Sequence, residues 1–187
     1  MAISRRDHLV ETALDLFYRH GFHATGIDRI LATSGVAKMT LYKHFKSKDE
    51  LILAVLRLRD ERFRRWLMDS VESRARSPRK RLLAVFDVIE EWFSAAGFQG
   101  DMFMNAAAEY GDPAHPVRAA AADHKAALRA YFRDLAQAAG ARDAEALANQ
   151  WTLLVDGAVV TAHVAGNMRS AKHARRIAKV LLKSAEL

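Results

Sequence analysis

GFHATGIDRILATSGVAKMTLYKHFKSKDEL, residues 21–51, is the stretch on which the fold turns. It holds two short apolar-periodic segments, residues 27–34 and 38–45, separated by Gly35. Ile27, Ile30 and Leu31 lie on one side of the first, and Leu41 and Phe45, four apart, on one side of the second. Two short helices joined by a glycine-containing turn form the helix-turn-helix arrangement. In that arrangement the second helix enters the major groove and its N-terminal residues meet base edges. With Leu41 and Phe45 turned inward, Lys38, Thr40, Tyr42, Lys43 and His44 remain to face outward. From Arg29 to Lys48 the chain carries Arg29, Lys38, Lys43, Lys46 and Lys48 and no acid, with Asp28 and Asp49 at the flanks. A lysine supplies point charge to a phosphate, and a threonine donates to a base or touches a thymine methyl. Singly, Tyr42 reads equally as a half-buried core residue, Lys43 and Lys46 as surface lysines, and Ser47 as a helix cap. Together the acid-free window, the turn glycine and the aromatic spacing point to DNA.

Outward from this stretch the pattern stays helical. Ser4 and Asp7 resemble a capping box, and Leu9, Val10, Ala13, Leu14 and Phe17 continue as one stripe to Gly21, expected as a left-handed cap. Ser47 and Glu50 form a second capping box, opening a helix to about residue 72. Ser77 with Pro78 starts the next, to about residue 96. Further helices are expected over residues 102–110, from Pro116 to before Gly140, from a cap at Asp143 to about residue 165, and from Ser170 onward. The sum is about nine helices and no strand, an all-α fold. The basic run Arg74, Arg76, Arg79, Lys80 and Arg81 reads as a solvated loop rather than a second DNA site.

Among its 187 residues the chain has no cysteine, which excludes disulfides, cysteine zinc sites and a cysteine nucleophile. The net charge of +7 favours polyanionic partners. The longest apolar run, residues 153–164, is interrupted by Asp156 and His163, so no membrane span is expected, and the N-terminus has no secretory pattern. A cytoplasmic location follows as the expectation. Eight histidines occur without an HExxH pairing, and there is no GxSxG elbow or phosphate loop. No enzyme, metal or cofactor is therefore expected. The rival non-enzymatic reading is a basic helical protein-interaction module that binds an acidic partner.

Leu9-Val10, Ala13, Leu16-Phe17, Gly21-Phe22, Thr25, Ile30, Gly35-Val36, Leu41-Tyr42, Phe45, Lys48 and Leu51 together resemble the DNA-binding domain of the TetR family of bacterial regulators, without gaps over residues 9–51. The resemblance implies a three-helix DNA-binding domain over residues 1–47 and a helical ligand-binding and dimerisation domain over residues 48–187. It implies that Lys38, Met39 and Thr40 approach base edges, that Tyr42, His44 and Lys48 bind phosphates, and that Thr25 holds a phosphate with nearby amides; Lys43 joins them on the outward basic face. Three positions depart from the family pattern. Gly26 replaces a Thr or Ser and loses a cap, Leu31 replaces Ala, and Met39 replaces a small residue.

The resemblance also implies a homodimer through the two final helices, a double-stranded operator and a largely apolar small-molecule effector that releases a repressor. Gly157, Thr161 and Ala165, spaced four apart, with Ile177 and Leu181, are the expected interface; the alternative is that these stripes bury against the chain's own core. Trp66, Trp92, Phe103, Asn105, Trp151 and Asp156 are the expected effector contacts, although most large apolar groups of this region read equally as core. Asp156 and His163 could serve each other or a ligand, or sit on a wet rim.

Overall fold

The structure, a computed structural model, describes residues 4–187; residues 1–3 of the expected DNA-binding domain lie outside the described residues. Among the described residues the chain forms nine helices and no strand: α1 Arg5–His20, α2 Ile27–Ser34, α3 Lys38–His44, α4 Lys48–Arg74, α5 Pro78–Ser94, α6 Met102–Glu109, α7 Pro116–Ala138, α8 Ala144–Ala165 and α9 Ser170–Ser184. The all-α expectation holds. Among the described residues no helix is long and apolar enough to cross a membrane.

Local chemistry sets the boundaries. Ser4 Oγ accepts from the Asp7 amide at 3.1 Å, and its hydroxyl donates to the Asp7 carboxylate at 2.7 Å. The Asp7 carboxylate thus holds the capping hydroxyl. Ser47 Oγ accepts from the Glu50 amide at 3.2 Å, while Glu50 reaches one residue beyond the usual box, to the Lys46 amide at 2.7 Å. Asp143 caps α8 through the Ala146 amide at 2.9 Å. Ser77 precedes Pro78 as expected, but its side chain makes no capping bond. Gly21 departs from the expected left-handed cap: its φ of +83° is paired with a ψ of 164°. Two residues of the basic run near residue 78, Arg74 and Arg81, meet acids of the same region. Arg74 pairs with Glu91, and Arg81 lies 3.6 Å from Glu72 while donating to the Ala75 carbonyl at 3.0 Å.

Two compact units result. Of the described residues, the first takes 4–62 together with 102–123, and the second takes 63–101 with 124–187. In the first, α1 packs on α2 and α3. Leu9, Val10, Ala13 and Phe17 of α1 enter one core with Ile30, Leu41, Phe45, Leu51, Val55 and, from the distant α6, Met102, Phe103 and Ala106. In the second unit α5, α8 and α9 pack mutually. Trp151 sits at full burial there, its indole N–H donating to the Leu82 carbonyl at 3.0 Å and its ring 5.7 Å from Phe86.

α3 gives a direct test of what holds the first unit. Leu41→Ala should lower unfolding free energy by about 2–5 kcal/mol, whereas Lys43→Ala, on an exposed position, should change it by less than about 0.5 kcal/mol. Urea denaturation followed by far-ultraviolet circular dichroism separates the two.

Candidate nucleic-acid interface

The turn between α2 and α3 is made by Gly35, at φ +67° and ψ 11°, whose amide donates to the Leu31 carbonyl at 2.9 Å. This left-handed conformation is one that glycine adopts without a Cβ penalty. α3 then presents one apolar edge and one open face. Leu41 and Phe45 are buried. Lys38, Met39, Tyr42, Lys43 and His44 are exposed and Thr40 is half-buried. Tyr42 keeps 45 % of its surface open, which excludes a core role for it. Neither Ala37 before α3 nor Gly26 before α2 offers a side-chain cap, so the first-turn amides of both helices have no side chain bonded to them from those positions. Lys38 Nζ lies 3.7 Å from Asp28, an exposed pair of small energetic weight. The Arg6 guanidinium lies over the Phe45 ring, 5.3 Å from its centre.

Thr25 requires a correction. Its side chain is fully buried and its hydroxyl points at the Leu16 carbonyl, 3.4 Å away. The hydroxyl is committed to the join between α1 and α2 and is turned away from any phosphate.

Lys48 is held from the protein side. Its Nζ donates to the His23 carbonyl at 3.4 Å, and burial pushes its ammonium below the usual lysine value against the opposing pull of Asp49 and Glu109. What braces His23 has no local sequence signal. Glu109, at the end of α6, accepts from the Phe22 amide at 2.9 Å and the His23 amide at 2.6 Å, and His23 Nε2 donates to the Glu109 carbonyl at 2.8 Å. Gly21 makes room for this: a Cβ there would come within 2.9 Å of the Glu109 carboxylate. The Tyr110 ring stacks between His23 and His115, with centres 4.8 and 4.5 Å apart. Its hydroxyl lies 3.4 Å from Asp49, and its pKa is pushed up to about 12, by burial first and then by Asp49. His115 Nε2 also lies 3.4 Å from Asp49. A segment far along the chain thus fixes the α1–α2 turn and the start of α4.

The six expected effector contacts do not fall in one unit. Phe103 is buried in the first core and Asn105 belongs to the same unit, while Trp66, Trp92, Trp151 and Asp156 belong to the second. Trp151, fully buried with its N–H bonded to the backbone, is core. Trp66 and Trp92 instead gather around Phe63, with ring centres 5.4 and 5.0 Å from it. Asp156 is paired with Lys125 at 2.7 Å, not with His163, and Lys125 also holds Asp101 at 2.6 Å. Burial pulls the Lys125 ammonium down, but the two carboxylates outweigh it and the net direction is up. Burial raises the Asp156 carboxyl. His163 faces Gly100 and the Phe98 ring. Of the expected interface residues, Gly157, Thr161, Ala165 and Ile177 are exposed and Leu181 is half-buried. Leu153, Val160, Val164 and Val180, which the small-residue spacing did not single out, are also open, Val164 at 80 %.

A short cationic helix, seated by two apolar anchors behind a glycine turn, defines a helix-turn-helix DNA-binding protein. The family profile described as bacterial regulatory proteins, tetR family, matches residues 9–55, and that described as tetracyclin repressor-like, C-terminal domain, matches residues 78–178. The chain belongs to the TetR family of DNA-binding transcriptional regulators. It is similar to the crystal structure of a TetR-family transcriptional regulator from Streptomyces coelicolor, with a TM-score of 0.90 and 32% identity over 98% of this chain and 96% of that one. The transcriptional activator FasR of Mycolicibacterium smegmatis is 40% identical over 90 residues, 46% of this chain and 41% of that protein. The transcriptional repressor KstR2 of the same organism is 35% identical over 86 residues, 44% of this chain and 40% of that protein. The matched segments thus span about two fifths of the length of these two relatives.

The brace on the α1–α2 turn is testable. Glu109→Ala should cost about 1.5–3 kcal/mol, as expected for bonds to a charged acceptor. Gly21→Ala should cost about 1–3 kcal/mol through its positive φ alone. In a double-mutant cycle the φ cost should persist, while any further cost from the clash of the new Cβ with the Glu109 carboxylate should vanish, so the two losses should sum to less than their separate values.

Proposed function

We propose that the protein is a ligand-responsive repressor that binds a palindromic operator as a homodimer and is released by a largely apolar small molecule. Residues 1–47 read the DNA in this proposal, through Lys38, Met39, Thr40, Tyr42, Lys43 and His44, with Lys48 at the start of α4 adding a phosphate contact. Residues 48–187 sense and pair. The observation that carries the reading is the open face of α3, where Lys38, Met39, Tyr42, Lys43 and His44 are all exposed while Leu41 and Phe45 anchor the other side.

Pairing is supported by the outer faces of α8 and α9. Leu153, Gly157, Val160, Thr161 and Val164 recur along one side of α8, and Ile177 and Val180 lie open on α9. A monomer rarely leaves so continuous an apolar patch in water. A two-fold pair would set its reading helices roughly 34–36 Å apart, one turn of the duplex. The effector role is supported by the aromatic group around Phe63 and by the charged set Asp101, Lys125 and Asp156 in the same unit. A compound shifts such a protein only by its differential affinity for DNA-bound and released states. Repression is favoured by the family resemblance; FasR, an activator, and KstR2, a repressor, each match less than half of this chain.

Selection from a randomised duplex pool, followed by titration against salt, tests the DNA role. Lys48→Ala should weaken all duplexes alike and flatten the salt dependence by about one unit per protomer. Thr40→Ala or Lys38→Ala should change which duplexes are recovered. Unchanged DNA retention in all three would move the reading to an acidic protein partner. For pairing, Val164→Glu combined with Ile177→Glu should turn a dimer into a monomer in sedimentation velocity, with operator affinity lost in step.

A further inference from the structure

We propose that Met39 reads the 5-methyl group of a thymine in the major groove, and so sets one position of the operator sequence. This deepens the DNA-reading role of α3 and rests on it. Met39 is 81 % exposed, the highest value among the large apolar side chains of the described residues. Water is a poor place for such a group, and nothing within the fold requires it there: the helix is seated by Leu41 and Phe45, both buried. Successive helix residues turn by about 100°, so Met39, two residues before Leu41, points nearly opposite the buried side. Lys43, one turn later, shares that outermost face. Met39 is also the second residue of α3, in the N-terminal turn that faces base edges in this arrangement.

The chemistry of the side chain narrows its partner. A thioether donates no hydrogen bond and accepts one only weakly. Base edges in the major groove display donors and acceptors, and the one apolar group among them is the thymine methyl. Methionine is unbranched and flexible, which suits contact with a small projecting group of this kind. Its neighbours supply the charge, with Lys38 before it and Lys43 four residues later, so Met39 need not contribute to phosphate binding. Contact with a deoxyribose would also bury the side chain, but it would be blind to the base. The two are therefore separable.

The test uses the intact protein and duplexes recovered from the randomised pool. Each half-site thymine is replaced in turn by deoxyuridine, which removes only the methyl. Wild-type binding should weaken about fourfold at one position of the half-site, as expected for losing one methyl-sized apolar contact. Met39→Ala should bind thymine and deoxyuridine duplexes equally at that position, and Met39→Leu should keep part of the preference. A ratio of one for the wild type at every thymine overturns the proposal, as does an undiminished ratio in Met39→Ala. If the pool yields no bound duplex, the DNA-reading role of α3 fails and the proposal with it; bound duplexes without methyl dependence overturn the proposal alone.

Discussion

Burial of Leu41 and Phe45 is the constraint on which the DNA-reading surface depends. α3 has seven residues, and a helix of that length is not stable alone in water. It has no side-chain cap at its start, since Ala37 precedes it. Its stability comes from two anchors, Leu41 and Phe45, set in the core with Leu9, Phe17 and Ile30. The opposite face is thereby released from any structural duty. Its residues can be chosen for what they touch outside the protein, which is why Met39 and Lys43 stand there without harm to the fold.

The same separation explains what could be read from sequence and what could not. The α1–α3 region was legible because its signals are local: an apolar residue every three or four positions, a glycine at the turn, a serine before a helix. Glu109 was illegible for the converse reason. It is 86 residues from His23, and nothing in its own neighbourhood, an alanine-rich helix end, marks it as an acceptor for two backbone amides. Thr25 was misread because family position does not fix orientation. A residue just before a helix is well placed to cap it or to bind a phosphate, yet here the hydroxyl faces Leu16 and the next residue, Gly26, has no side chain to substitute for it.

In the body, periodicity identified helices but not what each face meets. α8 is apolar on several sides. Trp151, Val155 and Ala162 face the core while Leu153, Val160 and Val164 face outward, and both sets obey helical spacing. Small residues four apart suggested a close helix contact, but the larger open side chains between them carry more of the apolar surface. Charge was misassigned for a related reason. Asp156 and His163 share a helix, so they suggested each other, whereas the cation that meets Asp156 comes from α7 and brings Asp101 with it. A carboxylate removed from water needs a counter-charge, and sequence states the need without naming the residue that meets it.

The departure at Gly26 changes the balance of forces at the DNA surface. With no side chain at the N-cap of α2, one hydroxyl that a serine or threonine would offer is gone, and burial of Thr25 removes another. The helix amides and the dipole remain, but both act on a phosphate without regard to sequence. On the proposed reading, attraction then leans on Lys38, Lys43 and Lys48, whose pull is long-ranged and screened by salt. Cations of this kind hold the duplex close and say little about which bases it carries. On that proposal selectivity falls on the few side chains in the first turn of α3, and the shape of that turn, fixed from behind by Leu41, matters more to sequence choice than the number of positive charges around it.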